Sequence, residues 1–292
     1  MFTSILVATD LSDASDHVVG CLSPLRALGA ERALLVYCLG IRHLVEMEHL
    51  LAPMVEPKLQ AQKAILEKAG FQVTVEITPG LPQHDINRVA VEKDCSLIAV
   101  GTHGRTMSGE IHLGGVASEI IHNIRKPILL VRLKITIAQD RRQCEAICLN
   151  MLDHVLFPTD FSDNADHAFK TVQELAGHGA KRVTLMHVQD KAAIGKHLEE
   201  RLAEFNEIDR DRLDRLKAEL TRRGPADVRC EIQYGSPVTE ILKTAREDAV
   251  SLIVMGSQGR CRGYVTELLL GSVSHNVARH AGVPMLLIPL PR

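Results

Sequence analysis

Hydrophobic positions along the chain fall into short apolar runs that alternate with stretches of helical periodicity. Ser4-Ile5-Leu6-Val7-Ala8-Thr9 reads as a buried strand ending at Asp10. Ser12 and Asp13 are helix-start residues, and a helix is expected to run to Gly29 with a break at Gly20 and Pro24. Further strands are expected over 33–39, 71–78, 96–100 and 128–131. Helical patterns fill the gaps. One spans 44–69, interrupted by Pro53 and Pro57; a short one runs from the turn Pro79-Gly80-Leu81-Pro82 through Val91; another covers 116–125.

The pattern then returns. Thr9-Asp10-Leu11-Ser12-Asp13 with Asp16-His17 reappears at a constant offset as Thr159-Asp160-Phe161-Ser162-Asp163 with Asp166-His167. Gly29-Ala30 matches Gly179-Ala180, Gly80-Leu81-Pro82 matches Gly235-Ser236-Pro237, and Gly101-x2-Gly104 matches Gly256-x2-Gly259. Order, residue identity and context agree, so the chain is read as a duplication. Its parts are a first domain over 1–133, a linker over 134–150 and a second domain over 151–292. Alternating strands and helices imply two open, parallel α/β sheets with right-handed crossovers. The stripe Leu198, Leu202, Phe205, Leu213, Leu216 and Leu220 marks an amphipathic helix covering the second sheet.

Composition narrows the function. With 292 residues, 46% of them hydrophobic, 24% charged, and a net charge of −2, the chain has room for two cores and no overall basic character for nucleic acid. No apolar run is long enough for a membrane span, and the N-terminus lacks a basic segment leading into an apolar one. Seven cysteines at scattered spacing favour reduced thiols in a cytoplasm. Cys144 and Cys148 are four apart in the linker, which on a helix would put both thiols on one face; two free cysteines is the plainer reading.

The chemistry concentrates where strands end. Ser251-Leu252-Ile253-Val254-Met255 reads as a strand running into Gly256-Ser257-Gln258-Gly259, and Gly271-Ser272-Val273 opens a helix. Glycine permits close backbone approach, and a helix N-terminus presents unpaired N–H groups and a positive dipole end. That combination suits a nucleotide phosphate, although a plain strand-to-helix turn would read the same. If first and fourth strands are neighbours, Asp10 faces the Gly101 loop and Asp160 the Gly256 loop. Either aspartate could instead cap the following helix. Arg105 and Arg260 follow the second glycine of each loop and could meet phosphate or remain solvated. No Walker motif, no Gly-x-Gly-x-x-Gly after the first strand, no Gly-x-Ser-x-Gly and no zinc spacing appears.

These residues resemble the universal stress protein family in its tandem, two-domain form. The family's nucleotide signature is Gly-x2-Gly-x9-Gly-Ser/Thr after the fourth strand, with an Asp ending the first. The resemblance implies two repeated five-stranded parallel sheets of the Rossmann-like, adenine nucleotide alpha hydrolase-like type. It further implies joining through the fifth strands, and ATP or AMP, with or without magnesium, as ligand in some members. On that basis Asp160 and the backbone at Val188 would contact the nucleoside end, and Gly256, Gly259, Gly271, Ser272 and Val273 would hold ribose and phosphate. The matching positions in the first repeat are Asp10, Cys38, Gly101, Gly104, Gly114, Gly115 and Val116. Both copies depart from the signature: Gly115 stands where the hydroxyl belongs, and eleven residues rather than nine separate Gly259 from Gly271. Both fifth strands, 128–131 and 285–288, are apolar sheet edges, so the domains are expected to pair in a pseudo-two-fold arrangement, with a chain–chain homodimer left open. The expected function is a stress-response regulator binding adenine nucleotide, with an unidentified protein partner and no nucleic acid or membrane. An interaction module without ligand and a slow ATP hydrolase are the alternatives.

Overall fold

The computed structural model describes residues 1–39, 48–102, 113–138, 141–146, 150–224, 227–259 and 270–291. Two compact units meet in sequence between Cys148 and Leu149. In the first, β1 (Ser4–Thr9) leads into α1 (Asp13–Gly20) and a 3-10 turn (Ser23–Leu28), then β2 (Arg32–Leu39), α2 (Glu48–Lys68), β3 (Gln72–Pro79), α3 (Pro82–Glu92), β4 (Leu97–Gly101), α4 (Gly115–His122) and β5 (Ile128–Val131). The expected break after Gly20 is present, and Gly29 closes the turn with φ 87. The expected interruption of the next helix is not: α2 runs through both Pro53 and Pro57. Each proline removes one helix hydrogen bond, but Val55, Leu59 and Leu66 are buried, and this packing offsets the loss.

All strands of the first sheet run parallel in the order β5-β4-β1-β2-β3. Ile5, Leu6, Val7, Leu97 and Ile98 have no exposed surface, as a sheet covered on both faces requires. The order reverses between β1 and β4, which pair directly up to Val7 with Ala99. Asp10 therefore leaves the sheet beside the Gly101 turn.

A ribbon follows where a bare linker was expected. β6 (Leu133–Ala138) and β7 (Arg141–Ala146) pair antiparallel, with Leu133 opposite Ala146 and Ala138 opposite Arg141. Cys144 thus lies on a strand, which removes the helical reading of the Cys144 and Cys148 spacing; Cys148 lies outside the described residues. The cysteine expectation needs a second correction. Cys21 is disulfide-bonded, whereas Cys38, Cys95 and Cys230 are free. Cysteine counts carry no information on which thiols come within bonding reach.

The second unit repeats the plan: β8 (Val155–Pro158), α5 (Asp163–Gly177), β9 (Arg182–Asp190), α6 (Lys191–Leu198), α7 (Leu202–Thr221), β10 (Asp227–Gly235), α8 (Pro237–Glu247), β11 (Leu252–Gly256), α9 (Ser272–His280) and β12 (Met285–Ile288). Its parallel strands run β12-β11-β8-β9-β10, the same order as in the first unit. Leu213 and Leu220 of α7 are fully buried, as the leucine stripe requires. Among the described residues no helix is long and apolar enough to cross a membrane.

Candidate functional site

At the end of the first strand, both repeats turn through a residue that is not glycine yet has positive φ: Leu11 at 60 and Phe161 at 55. Side chains of the neighbouring residues hold each turn. Thr9 Oγ1 accepts from Leu11 N at 3.0 Å, and Thr159 Oγ1 from Phe161 N at 3.0 Å. Asp10 Oδ1 accepts from Ser12 N at 3.0 Å, and Asp160 Oδ1 from Ser162 N at 3.1 Å. Ser12 and Ser162 then cap α1 and α5. The capping alternative for the two aspartates is therefore replaced by a division of labour. The serine caps the helix and the aspartate braces the turn, with its carboxylate at the strand ends.

The glycine loops depart from the same place. Thr102 N donates to Val131 O at 3.1 Å and Gly114 N to Thr102 O at 2.7 Å; in the second repeat Ser257 N donates to Ile288 O at 2.9 Å and Gly271 N to Ser257 O at 2.7 Å. Each loop is thus cinched at its base, which sets the start of the following helix against the end of the fourth strand. Gly114 and Gly271 are the N-caps of α4 and α9, and glycine brings no side-chain oxygen to satisfy the first-turn N–H groups. Unlike α1 and α5, these two helices open toward the strand ends without a capping side chain. That arrangement can accept an anion.

The second repeat shows convergence directly. A Cβ on Gly259 would lie 2.7 Å from Asp160 Oδ2, so the carboxylate at the end of β8 reaches the second glycine of the loop. Gly271, Ser272 and Val273 lie on the other side of the cinched loop, with Ser272 exposed. Gly101, Gly114, Gly115 and Val116 take the matching places in the first repeat, Gly115 and Val116 exposed. Gly104, Arg105, Arg260 and Arg262 lie outside the described residues.

Cys38 and Val188 sit near the ends of β2 and β9, paired with Thr78 and Gln233 on the next strand. Burial pushes the Cys38 thiol up to about 12, with the Asp85 charge adding to it. The thiol stays protonated, which leaves Cys38 its backbone and apolar surface to offer a ligand.

Sequence reading missed three groups. Asn164, on the first turn of α5, accepts from Gln258 N at 2.8 Å and donates to Ile288 O at 3.1 Å. Ser274 Oγ donates to Gly256 O at 2.9 Å. The third is a buried polar cluster over the ends of β8 and β9. His187 Nδ1 donates to Thr159 O at 2.7 Å, while its Nε2 is 3.5 Å from Asp209 Oδ2, which also accepts from Gln189 Nε2 at 3.0 Å. Phe161 stacks 4.7 Å from the His187 ring, with the Arg212 guanidinium 5.2 Å from the Phe161 centroid. Asp209 was hidden because an acidic residue inside an amphipathic stripe reads as solvated surface. Among the described residues no group of three or more His, Cys, Asp or Glu could hold a metal ion.

Comparison with known proteins agrees with this architecture. A universal stress protein of Methanocaldococcus jannaschii is 33% identical over 157 residues, 47% of this chain and 95% of its own. A universal stress protein of Mycolicibacterium smegmatis is 27% identical over 239 residues, covering 78% of this chain and 74% of its own. The crystal structure of a universal stress protein from Archaeoglobus fulgidus superposes with a TM-score of 0.74 at 23% identity, covering 99% of both chains. The sequence profile of the universal stress protein family matches twice, over residues 1–132 and 151–289. With two matches that leave little beyond the inter-repeat ribbon, the chain belongs to the universal stress protein family.

Proposed function

We propose that the protein binds an adenine nucleotide, ATP or AMP, at the carboxyl ends of the strands, and acts as a regulatory protein in a cytoplasmic stress response. The observation that carries this reading is the second-repeat constellation. The Asp160 carboxylate reaches Gly259, behind which the cinched loop delivers a helix N-terminus without a capping side chain. The donor set suits such a ligand: a carboxylate can accept from ribose hydroxyls, and backbone N–H groups with the Ser272 hydroxyl can donate to phosphate. The signature positions inherited from the family resemblance are those same residues.

A second reading, a ligand-free interaction module, is favoured only for the first repeat, where Gly115 removes the hydroxyl. Denaturing the purified protein and identifying released nucleotide by chromatography tests the proposal, with calorimetric titration of ATP and AMP, with and without magnesium. Released adenine nucleotide or saturable heat is the expected result. No nucleotide and no heat at millimolar ligand would remove the reading.

A further inference from the structure

Asn164 is 2% exposed, and its two hydrogen bonds reach segments far away in sequence. The partners settle its orientation: a backbone N–H can only donate and a carbonyl can only accept, so Oδ1 faces Gln258 and Nδ2 faces Ile288. A Cβ at Gly256 would come within 2.6 Å of Asn164 Oδ1, so the first loop glycine leaves room for this carboxamide.

The consequence is visible peptide by peptide. The Gly256–Ser257 plane is held at both ends, its carbonyl by Ser274 Oγ and its N–H by Ile288 O. The Ser257–Gln258 plane is likewise held, its carbonyl by Gly271 N and its N–H by Asn164 Oδ1. Two successive planes at the start of the loop are therefore pinned. The first repeat keeps the two backbone ties, at Thr102 N and Thr102 O, but has Ala14 in place of Asn164 and Ala117 in place of Ser274. Alanine can supply neither bond.

We infer that Asn164 is the positioning residue of the second-repeat ligand loop, holding the strand-to-loop turn in the geometry that carries Gly259 to Asp160 and aims the following amides at the phosphate end of the ligand. This rests on the nucleotide reading. It extends that reading by naming the side chain that pins the Ser257–Gln258 peptide in the second repeat and has only Ala14 at its place in the first.

The test uses the full chain and three substitutions. In ligand-free protein, Asn164→Ala should speed hydrogen exchange of the Gln258 amide about tenfold, the weight of one hydrogen bond to a buried group. It should weaken ATP about tenfold and leave adenosine, which lacks phosphate, within about twofold. Asn164→Asp retains an acceptor for Gln258 but sets a second acceptor against the Ile288 carbonyl, so exchange should slow only part of the way back and ATP should stay weak. Ser274→Ala releases the other side chain tie and should show a smaller loss in the same sense, which covers the case where Asn164→Ala does not fold. Unchanged Gln258 exchange in Asn164→Ala, or equal losses for ATP and adenosine, would overturn the inference. If the unaltered chain binds neither ATP nor adenosine, the nucleotide reading falls and takes the ligand half of the inference with it. Gln258 exchange would then still decide the loop half.

Discussion

The two repeats share strand order, aspartate turn and cinched loop, yet they spend their short polar side chains in different places. In the first, Asp10 Oδ1 accepts from Ser12 N, from Ser12 Oγ at 2.5 Å and from Ser15 Oγ at 2.6 Å, while the loop base has Ala14 and Ala117 beside it. In the second, alanine replaces Ser15 at position 165, and the polar groups appear instead as Asn164 on α5 and Ser274 on α9, both bonded to the base of the loop. One repeat braces its aspartate and the other braces its glycine loop. The Asn164 and Ser274 ties fix two peptide planes at the base of the loop, so less backbone freedom there remains to be lost on binding. Under the nucleotide reading proposed above, that difference favours the second repeat.

The largest expected effect comes from filling the space used by Asn164. Gly256→Ala places a methyl 2.6 Å from Asn164 Oδ1 and should cost about 2 kcal/mol of stability as well as most of the ATP affinity. Gly115→Ala meets nothing within 4 Å and should change stability by less than about 0.5 kcal/mol. Thermal melts and calorimetry on the two variants check the contrast. Equal losses would mean that the room Gly256 leaves for Asn164 carries no weight.

Next in size is the hydroxyl. Ser272→Ala should weaken ATP by about 1 kcal/mol, roughly fivefold, if that hydroxyl meets phosphate. Gly115→Ser should install the missing donor in the first repeat and bring a gain of no more than that size. A smaller gain still is expected from Ala14→Asn combined with Ala117→Ser, which transplants the loop ties while Ser15 continues to hold Asp10. No change in ATP stoichiometry or affinity in either first-repeat variant would place the deficit in the aspartate turn.

Much of this frame could be read from residues alone, because repetition supplied the control that a single sequence lacks. Asp10 and Asp160, the glycine pairs and the alternation of strands with helices stand in the sequence as the same pattern twice, whereas the pairing of first with fourth strand is settled only by the sheet. Other features carried no such signal. Leu133–Ala138 alternates apolar and polar residues, but it has no counterpart in the second repeat to mark it, and only its pairing with Arg141–Ala146 makes it a strand. Proline marked a helix break in α2, yet buried leucines outweighed it. Asn164 is one polar residue beside a helix cap, where short polar residues are commonplace. Its role depends on Gln258 and Ile288, and those contacts exist only after the sheet has formed. Glycine also proved ambiguous: Gly256 and Gly259 are required by Asn164 and Asp160 within the protein, so their presence alone does not signal phosphate.

The smallest expected difference between the repeats is one of pH. His154 in the second unit occupies the place of Ser4 in the first, and it is 3% exposed. Its Nδ1 donates to Asp248 O at 3.0 Å and its Nε2 accepts from the Thr184 hydroxyl at 2.8 Å, so the neutral ring has both nitrogens satisfied. Burial pushes its pKa below the usual 6.5; the Asp248 carbonyl opposes this, and the charges of Arg182 and Arg229 add to it. The unfolded chain therefore takes up the proton at a higher pH than the folded one. The stability that depends on the neutral ring is fully present above about 6.5 and is lost as pH falls through the depressed folded value. His154→Ser removes that proton linkage along with two hydrogen bonds, so its cost should be greatest near neutrality and shrink as the solution becomes acidic. Denaturant midpoints of both proteins, followed by circular dichroism at pH 7.5 and 5.5, measure the change. A gap that stays constant, or widens in acid, would mean that His154 contributes packing and hydrogen bonds without linking repeat two to pH.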